Sequence, residues 1–498
     1  MSAPRPSASE PAAAPAAVPD PAAVAAAAPA ASVAPPSAAP LGRLAPAALH
    51  PAPAGAERAP GLSLPAPVPG ASFASGAPLG AAAGSSDALP AGVIPCPAPG
   101  EVAWAGRDGA FEAPGGGAAG AEAAGRGVSA PPAAPRAATA PVLKVDLDAI
   151  RANWAQAKRL SAPGGLSAVL KADAYGLGLV PVARALAAAG CADFWVNDLD
   201  EAERLRAAVP AARIFCLMGL AGAPPAAFAA LGAVPALVSP AEVEACARHA
   251  AASGRAMRVA LQIDTGLGRL GLSEAETARL AAAPARLAGL ELAALVSHLA
   301  AYNLPDDPGN AAQLARLARL ARGLPPAPLS LSASSGLFLG PEWRRGLARA
   351  GSALFGTQTS VVHQPGLTPC YALEAPVIAV AEHPAGRRLG YRGAGELSRP
   401  SRIATLAAGY ADGLPQLYAE AGRPRLAGRP AAVVGGVAMN LTMLDVTDLP
   451  EAETRPGARA VLLDAAAPVE PLAEALGCAP NVLLTQIGAA VRKDSLGA

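Results

Sequence analysis

From residue 141 onward, short apolar runs alternate with stretches whose apolar residues recur at helical spacing. The runs are LSAVLKAD (166–173), DFWVND (193–198), RIFCLMG (213–219), VPALVS (234–239), MRVALQID (257–264), LELAALVSH (290–298), PLSLSAS (328–334) and LARAGSALFG (347–356). Between them lie helical stretches such as VPVARALAAAG, LDEAERLRAAV and AEVEACARHAAASG. Near-continuous apolar runs suit strands buried on both faces, which means a parallel sheet. Eight strand-then-helix units in about 200 residues predict an α/β fold, a (β/α)8 barrel of the TIM type. An open doubly wound sheet is the alternative.

After about residue 370 the texture changes. EAPVIAVAEH, SRIATLAAGY, RPAAVVGGVAM, LTMLDVTD, ARAVLLD and NVLLTQIGAAV read as short strands separated by Gly, Pro and Asp, with PLAEALG the clearest helix. This predicts a mostly β C-terminal domain, residues 371–498, behind a barrel spanning 141–370. Residues 1–140 are mostly Ala, Pro, Gly and Ser with few large apolar side chains. Such a segment cannot bury enough apolar surface to offset its ordering entropy, so it is expected to be a disordered extension without chemistry. PVLKVDLDAI reads as the opening of the folded body.

The formal net charge is +1, which gives no electrostatic case for nucleic acid or a membrane surface. No uninterrupted apolar stretch of about 20 residues suggests a spanning helix, and the N-terminus lacks a secretory pattern. Six cysteines (96, 191, 216, 246, 370 and 478) show no CxxC pairing, which suits reduced, mostly buried thiols in a cytoplasmic protein. No metal site is expected.

Barrel chemistry sits at the C-terminal ends of the strands. There the proposed strands carry Lys171 and Tyr175, Arg269 in DTGLGRLG, His298, Ser335 in SASSG, and Arg349 followed by Gly351 and Ser352. Each alone is commonplace: a solvated lysine, a hydrogen-bonded histidine, an ion-paired arginine. Together they would converge on one rim, with the serines near strands seven and eight, where barrels bind phosphate. Of 39 basic residues only four are lysines, so arginine has replaced lysine almost everywhere except at places such as Lys171. An amine can form an imine with pyridoxal phosphate (PLP), whereas a guanidinium cannot. GLGRLG (266–271) matches a dinucleotide-binding pattern, but no acidic residue ends a second strand about 20 residues on.

AVLKADAYGLG, IDTGLGRLG, SHLA, ARAGSALFG, LGY, AAGYADG and VVGGVAMNLTMLDVT occur in this order. Together they closely resemble the alanine racemases, PLP enzymes with an N-terminal barrel and a C-terminal β domain. The resemblance covers about residues 141–495. It implies that the opening strand, about 142–149, joins the C-terminal domain. It further implies that Lys171 is the Schiff-base lysine and one catalytic base, and that Tyr391 is the other, donated by the second subunit of a homodimer. Arg349 would meet the pyridine nitrogen, and Tyr175, Ser335, Gly351 and Ser352 the phosphate. Arg269, Tyr410 and the backbone of Met439 would hold the substrate carboxylate, and His298 would link Arg349 to the base tyrosine. Four positions depart from the family pattern. Gln262 stands where many members carry a carbamylated lysine, and its amide is expected to bond Arg269. Asn440 replaces an Asp, Gly436 an Arg, and Ala489 a tyrosine that narrows substrate access.

The implied function is interconversion of L- and D-alanine by bases on both faces, supplying D-alanine for peptidoglycan. The alternatives are a broad-specificity or serine racemase of the same fold, a barrel PLP decarboxylase, which would favour an acid rather than Arg349, and a PLP-binding module without catalysis, which would not need Tyr391.

Overall fold

The computed structural model describes residues 139–344, 346–359 and 364–497. The extension expected over residues 1–140 lies almost wholly outside the described residues, as does Cys96. Strand β1 (Val142–Asp146) opens the body, and eight parallel strands follow: β2 (Gly165–Val169), β3 (Asp193–Val196), β4 (Arg213–Cys216), β5 (Ala233–Leu237), β6 (Met257–Gln262), β7 (Leu290–Val296), β8 (Leu329–Ser330) and β9 (Leu347–Ala350). They pair in the order β8-β7-β6-β5-β4-β3-β2-β9, all parallel. The seam between β8 and β9 is crossed by the Arg349 N–H, which donates to the Ser332 carbonyl at 2.9 Å. The sheet is therefore a near-closed (β/α)8 barrel, as the alternating pattern predicts, and not an open doubly wound sheet.

Alternation along the strands builds two apolar layers. Val169, Trp195, Phe215, Val234, Ala236, Ala260, Ala294 and Val296 point inward and plug the barrel. Trp195 stacks on Phe215 at 4.2 Å, and its indole N–H donates to Ser167 Oγ at 2.9 Å. The neighbouring positions, among them Ala168, Phe194, Val196, Ile214 and Cys216, face the surrounding helices. Cys191, Cys216, Cys246 and Cys370 are buried free thiols. Burial pushes the first three up to about 12, so they stay protonated.

Strand β1 does not join the barrel. It runs antiparallel to Tyr371–His383 and parallel to Arg492–Leu496, within a largely antiparallel C-terminal sheet. It ends at Asp146 rather than near 149, because the Asp146 side chain accepts the Ala149 N–H and starts the helix Leu147–Ser161. Two further segments differ from the sequence reading. The last barrel run stops as a strand at Ala350, and Ser352–Phe355 is a 3-10 turn. NVLLTQIGAAV is helical, within Pro480–Ala490. Pro480 occupies the first turn, where its missing N–H costs nothing, and Leu483, Leu484, Ile487 and Gly488 form one buried face. Gly488 has to be glycine, since a Cβ there would lie 2.1 Å from the Gly176 carbonyl oxygen. Among the described residues, no helix is long and apolar enough to cross a membrane, and no group of three His, Cys, Asp or Glu could hold a metal.

Candidate active site

At the C-terminal rim of the barrel lies a cleft of about 750 Å³. Its lining includes Lys171, Tyr175, Arg269, His298, Ser335, Arg349, Gly351 and Ser352, so eight of the residues singled out from sequence meet in one place. Among the described residues, the lining contains no carboxylate. A larger cleft, about 1110 Å³, opens at the other end of the barrel. It contains no lysine, and its arginines are largely committed: Arg213 to Asp193, Arg258 to Glu291, and Arg206 to backbone carbonyls. The rim that carries Lys171 is therefore the candidate site.

Lys171 stands two residues past the end of β2 and leads into an unusual turn. Ala172, Asp173, Ala174 and Tyr175 all have φ between 54° and 57°, four successive non-glycine residues in the left-handed region. Each such residue costs about 1–2 kcal/mol, so the turn persists only because its surroundings dictate it. Ala174 N–H returns to the Leu170 carbonyl and Gly176 N–H to Ala172, both at 2.8 Å. The Asp173 carboxylate accepts the Leu179 N–H at 3.0 Å and pairs with Arg204 at 2.6 Å and Lys493 at 3.3 Å. Burial holds the Lys171 amine below the ordinary lysine range, and the Arg269 and Arg349 charges push it the same way. A neutral amine is the form that attacks carbonyls and takes up protons.

Arg349 is buried at the base of this cleft, 5.6 Å from the centre of the Trp195 ring. One terminal nitrogen donates to the Ser330 carbonyl and hydroxyl, each at 2.6 Å; the other donates to the Ser297 carbonyl at 2.7 Å and approaches His298 Nδ1 at 3.4 Å. Those four contacts match its four terminal N–H bonds and leave Nε–H as the remaining donor. Burial pulls the guanidinium down to about 10, which still leaves it charged at neutral pH. Because the guanidinium can only donate, His298 Nδ1 accepts, and the imidazole proton sits on Nε2.

Burial and the nearby Arg349, Arg269 and Lys171 charges pull His298 down from 6.5 to about 3. Between those pH values the unfolded chain binds a proton that the folded chain refuses, so stability falls as pH drops through that window. His298→Asn is expected to flatten the acid side of a melting-temperature-versus-pH curve. A slope identical to wild type would mean that His298 carries its charge in the fold.

Opposite the lysine is a cluster of hydroxyls. Ser335 Oγ and Ser352 Oγ, both on buried residues, lie 3.1 and 3.3 Å from Thr359 Oγ1. Ser334 Oγ accepts the N–H groups of Gly351 and Ala353, at 2.9 and 3.1 Å, and shapes this loop. What Gly351 itself gives the cluster is space, since a Cβ there would sit 2.3 Å from the Tyr175 hydroxyl. Burial raises Tyr175 to about 12, against the pull of Arg349, so its hydroxyl remains a donor. Ser334, Thr359, Asn197, Tyr302 and the helix residues Asn481 and Thr485 also line the cleft. Sequence reading missed all of them, because isolated hydroxyls and amides carry no pattern of their own.

Arg269 stands on a loop that Asp264 organises. The Asp264 carboxylate accepts the N–H groups of Gly266, Leu267 and Gly268 at 2.9–3.1 Å. Burial pushes that carboxyl up, but the three donors outweigh it and hold it below the usual range. The Gln262 side-chain amide holds the loop's backbone, its Nε2 donating to the Leu270 carbonyl at 3.2 Å, rather than making the expected bond to the Arg269 guanidinium.

Three predicted residues do not reach this cleft within one chain. Tyr391 is 79% exposed, Tyr410 43% and Met439 55%, all on the C-terminal domain. Tyr410 and Met439 are neighbours: Tyr410 N–H donates to the Ala438 carbonyl at 3.0 Å, and Ala411 N–H to that of Met439 at 2.8 Å. Asp412 caps the same turn by accepting the Gly409 N–H at 2.9 Å. Gly436 has φ +85°, which disfavours any side chain there. Ala489 is exposed, on the helix that lends Asn481 and Thr485 to the cleft.

One amine, a buried arginine and a group of hydroxyls meet on the C-terminal rim of a parallel barrel, a lining that suits an enzyme. Known proteins sharpen that class. The model of the alanine racemase N-terminal domain matches residues 145–359, and that of the alanine racemase C-terminal domain matches residues 370–494. An alanine racemase of Acidiphilium cryptum is 41% identical over 71% of this chain and 98% of its own. A catabolic alanine racemase of Agrobacterium fabrum is 38% identical over 71% of this chain and 91% of its own. The alanine racemase of Bartonella henselae, solved with covalently bound pyridoxal phosphate, superposes with a TM-score of 0.67 at 31% identity, over 72% of this chain and 100% of that one. The chain belongs to the alanine racemase family.

Proposed function

We propose that this chain is a PLP-dependent racemase that interconverts L- and D-alanine in the cytoplasm and supplies D-alanine for peptidoglycan. The observation that carries the reading is the cleft itself: one lysine with lowered basicity, two arginines and no carboxylate, facing clustered hydroxyls. That lining fits a dianionic phosphate and a substrate carboxylate together. Lys171 would hold the cofactor aldehyde. Tyr175, Ser335, Ser352 and Thr359 would hold its phosphate, and Arg349 Nε–H would meet its ring nitrogen. When bound, PLP supplies an electron sink that acidifies the α-carbon of an attached amino acid.

The chain's own residues then move protons. Lys171 Nζ takes the proton on one face of the substrate. One lysine cannot serve both faces, so inversion needs a second group opposite. We assign it to the hydroxyl of Tyr391 of a second subunit. Its exposure, together with that of Tyr410 and Met439 on the same domain, supports a face that a partner covers. Arg269 would orient the substrate carboxylate from the barrel, with Tyr410 and the Met439 backbone reaching it from the partner. His298 keeps Arg349 in place. Purified protein with PLP and L-alanine is expected to form D-alanine by chiral chromatography, with far slower turnover of L-serine, L-lysine and L-arginine. Comparable turnover of several would establish the broad-specificity alternative, and no D-product would sink the racemase reading. Growth of a D-alanine auxotroph carrying this gene checks the biosynthetic role.

A further inference from the structure

We propose that Glu201 is a positioning residue for Lys171: its carboxylate clamps the left-handed turn that aims the amine, and its charge acts on that amine from behind the cleft. The inference rests on the reading of Lys171 given above. Glu201 lies in the first turn of the helix Leu199–Ala208. Its Oε1 accepts the Asp173 N–H at 3.0 Å, inside the strained turn, and its Oε2 accepts the Asn197 N–H at 2.8 Å, at the end of β3. One carboxylate thus ties the lysine's turn to the next strand end, and Asn197 itself lines the cleft.

The fold repeats this device. Glu242, in the helix Pro240–Ser253, accepts the Leu220 N–H at 3.1 Å and the Val238 N–H at 2.8 Å. There no lysine stands beside it, so the clamp alone serves structure. At Glu201 the same clamp sits next to the reactive amine. The charges acting on Lys171 are Arg269 and Arg349, which lower its basicity, and Glu201, which raises it. The other titratable neighbours carry little net charge toward it. His298 and Tyr175 are neutral at physiological pH, and the Asp173 charge is spent on Arg204 and Lys493. With no carboxylate in the lining, Glu201 is the counterweight that limits how far the amine's basicity falls.

The test reads Lys171 directly. Full-length protein freed of cofactor is treated with an amine-acylating reagent across a pH series, and modification of the Lys171 peptide is quantified by mass spectrometry. With only four lysines in the chain, Lys158 serves as the reference. In Glu201→Gln the midpoint of Lys171 reactivity is expected to move down by about one pH unit. Glu201→Asp, which keeps the charge, is expected to restore it. Glu242→Gln, which removes only the second clamp, leaves the midpoint where it was. A Glu201→Gln profile that coincides with wild type would overturn the proposal, as would Asp and Gln variants that shift alike. In parallel, borohydride trapping of added PLP on Lys171 tests the cofactor reading by itself. Failure of wild type to trap PLP would count against that reading, while the acylation profiles still decide the role of Glu201.

Discussion

Lys171→Ala is expected to lose racemisation by at least about 10⁴-fold, because one residue is asked to hold the cofactor and to move a proton. The rest of the chain offers no substitute. Lys144 is paired with Glu374 in the C-terminal sheet, Lys493 with Asp173 outside the cleft, and Lys158 belongs to the first helix. Lys171→Arg should be as inactive as alanine, since a guanidinium neither forms the covalent link nor accepts a proton at neutral pH. D-alanine production from L-alanine, followed by chiral chromatography, is the measurement. Activity above about a hundredth of wild type in either variant would remove Lys171 from the chemistry, given the usual worth of a positioned base.

Tyr391→Phe should be nearly inactive alone, yet should regain activity when its subunits are mixed with Lys171→Ala subunits. In a two-fold dimer, random re-pairing puts about half of the subunits into mixed dimers, each with one intact site and one doubly damaged site. About a quarter of wild-type activity then returns. The expectation rests on the proposed shared site: Lys171 lies in the barrel cleft, whereas Tyr391 stands 79% exposed on the C-terminal domain. If subunits exchange and no activity appears, a second base within the same chain becomes the better assignment. Tyr302 is then the candidate, since it lines the cleft with its ring 6.4 Å from that of His298.

The barrel was legible because its strands are buried on both faces. MRVALQ can satisfy its side chains only in such a place, and the helices between strands show their own period. The rim residues were legible because Lys, Arg, His and Ser stand where those apolar runs stop. Other features gave weaker signals. NVLLTQIGAAV is a short apolar run, and periodicity alone does not separate a strand from a buried helix turn at that length. Pro480, one residue upstream, was the cue that was passed over. The left-handed turn at Ala172–Tyr175 left little trace in composition, because two alanines and a tyrosine are not the residues that such a conformation favours, and one aspartate is a weak cue. Nothing in the sequence around Gly351 shows that its N–H is taken by Ser334, which depends on two loops meeting in space.

The course of β1 bears on how the protein is made. Val142 pairs with Arg492, so these partners are 492 − 142 = 350 positions apart along the chain. Among the described residues, the first strand waits for the segment Arg492–Leu496 before its sheet is complete. Contacts of such separation must overcome loop-closure entropy before they contribute anything, which slows folding and leaves strand edges exposed meanwhile. The barrel strands lie between those two partners and can assemble during the wait. Closure of the C-terminal sheet is therefore expected to follow assembly of the barrel.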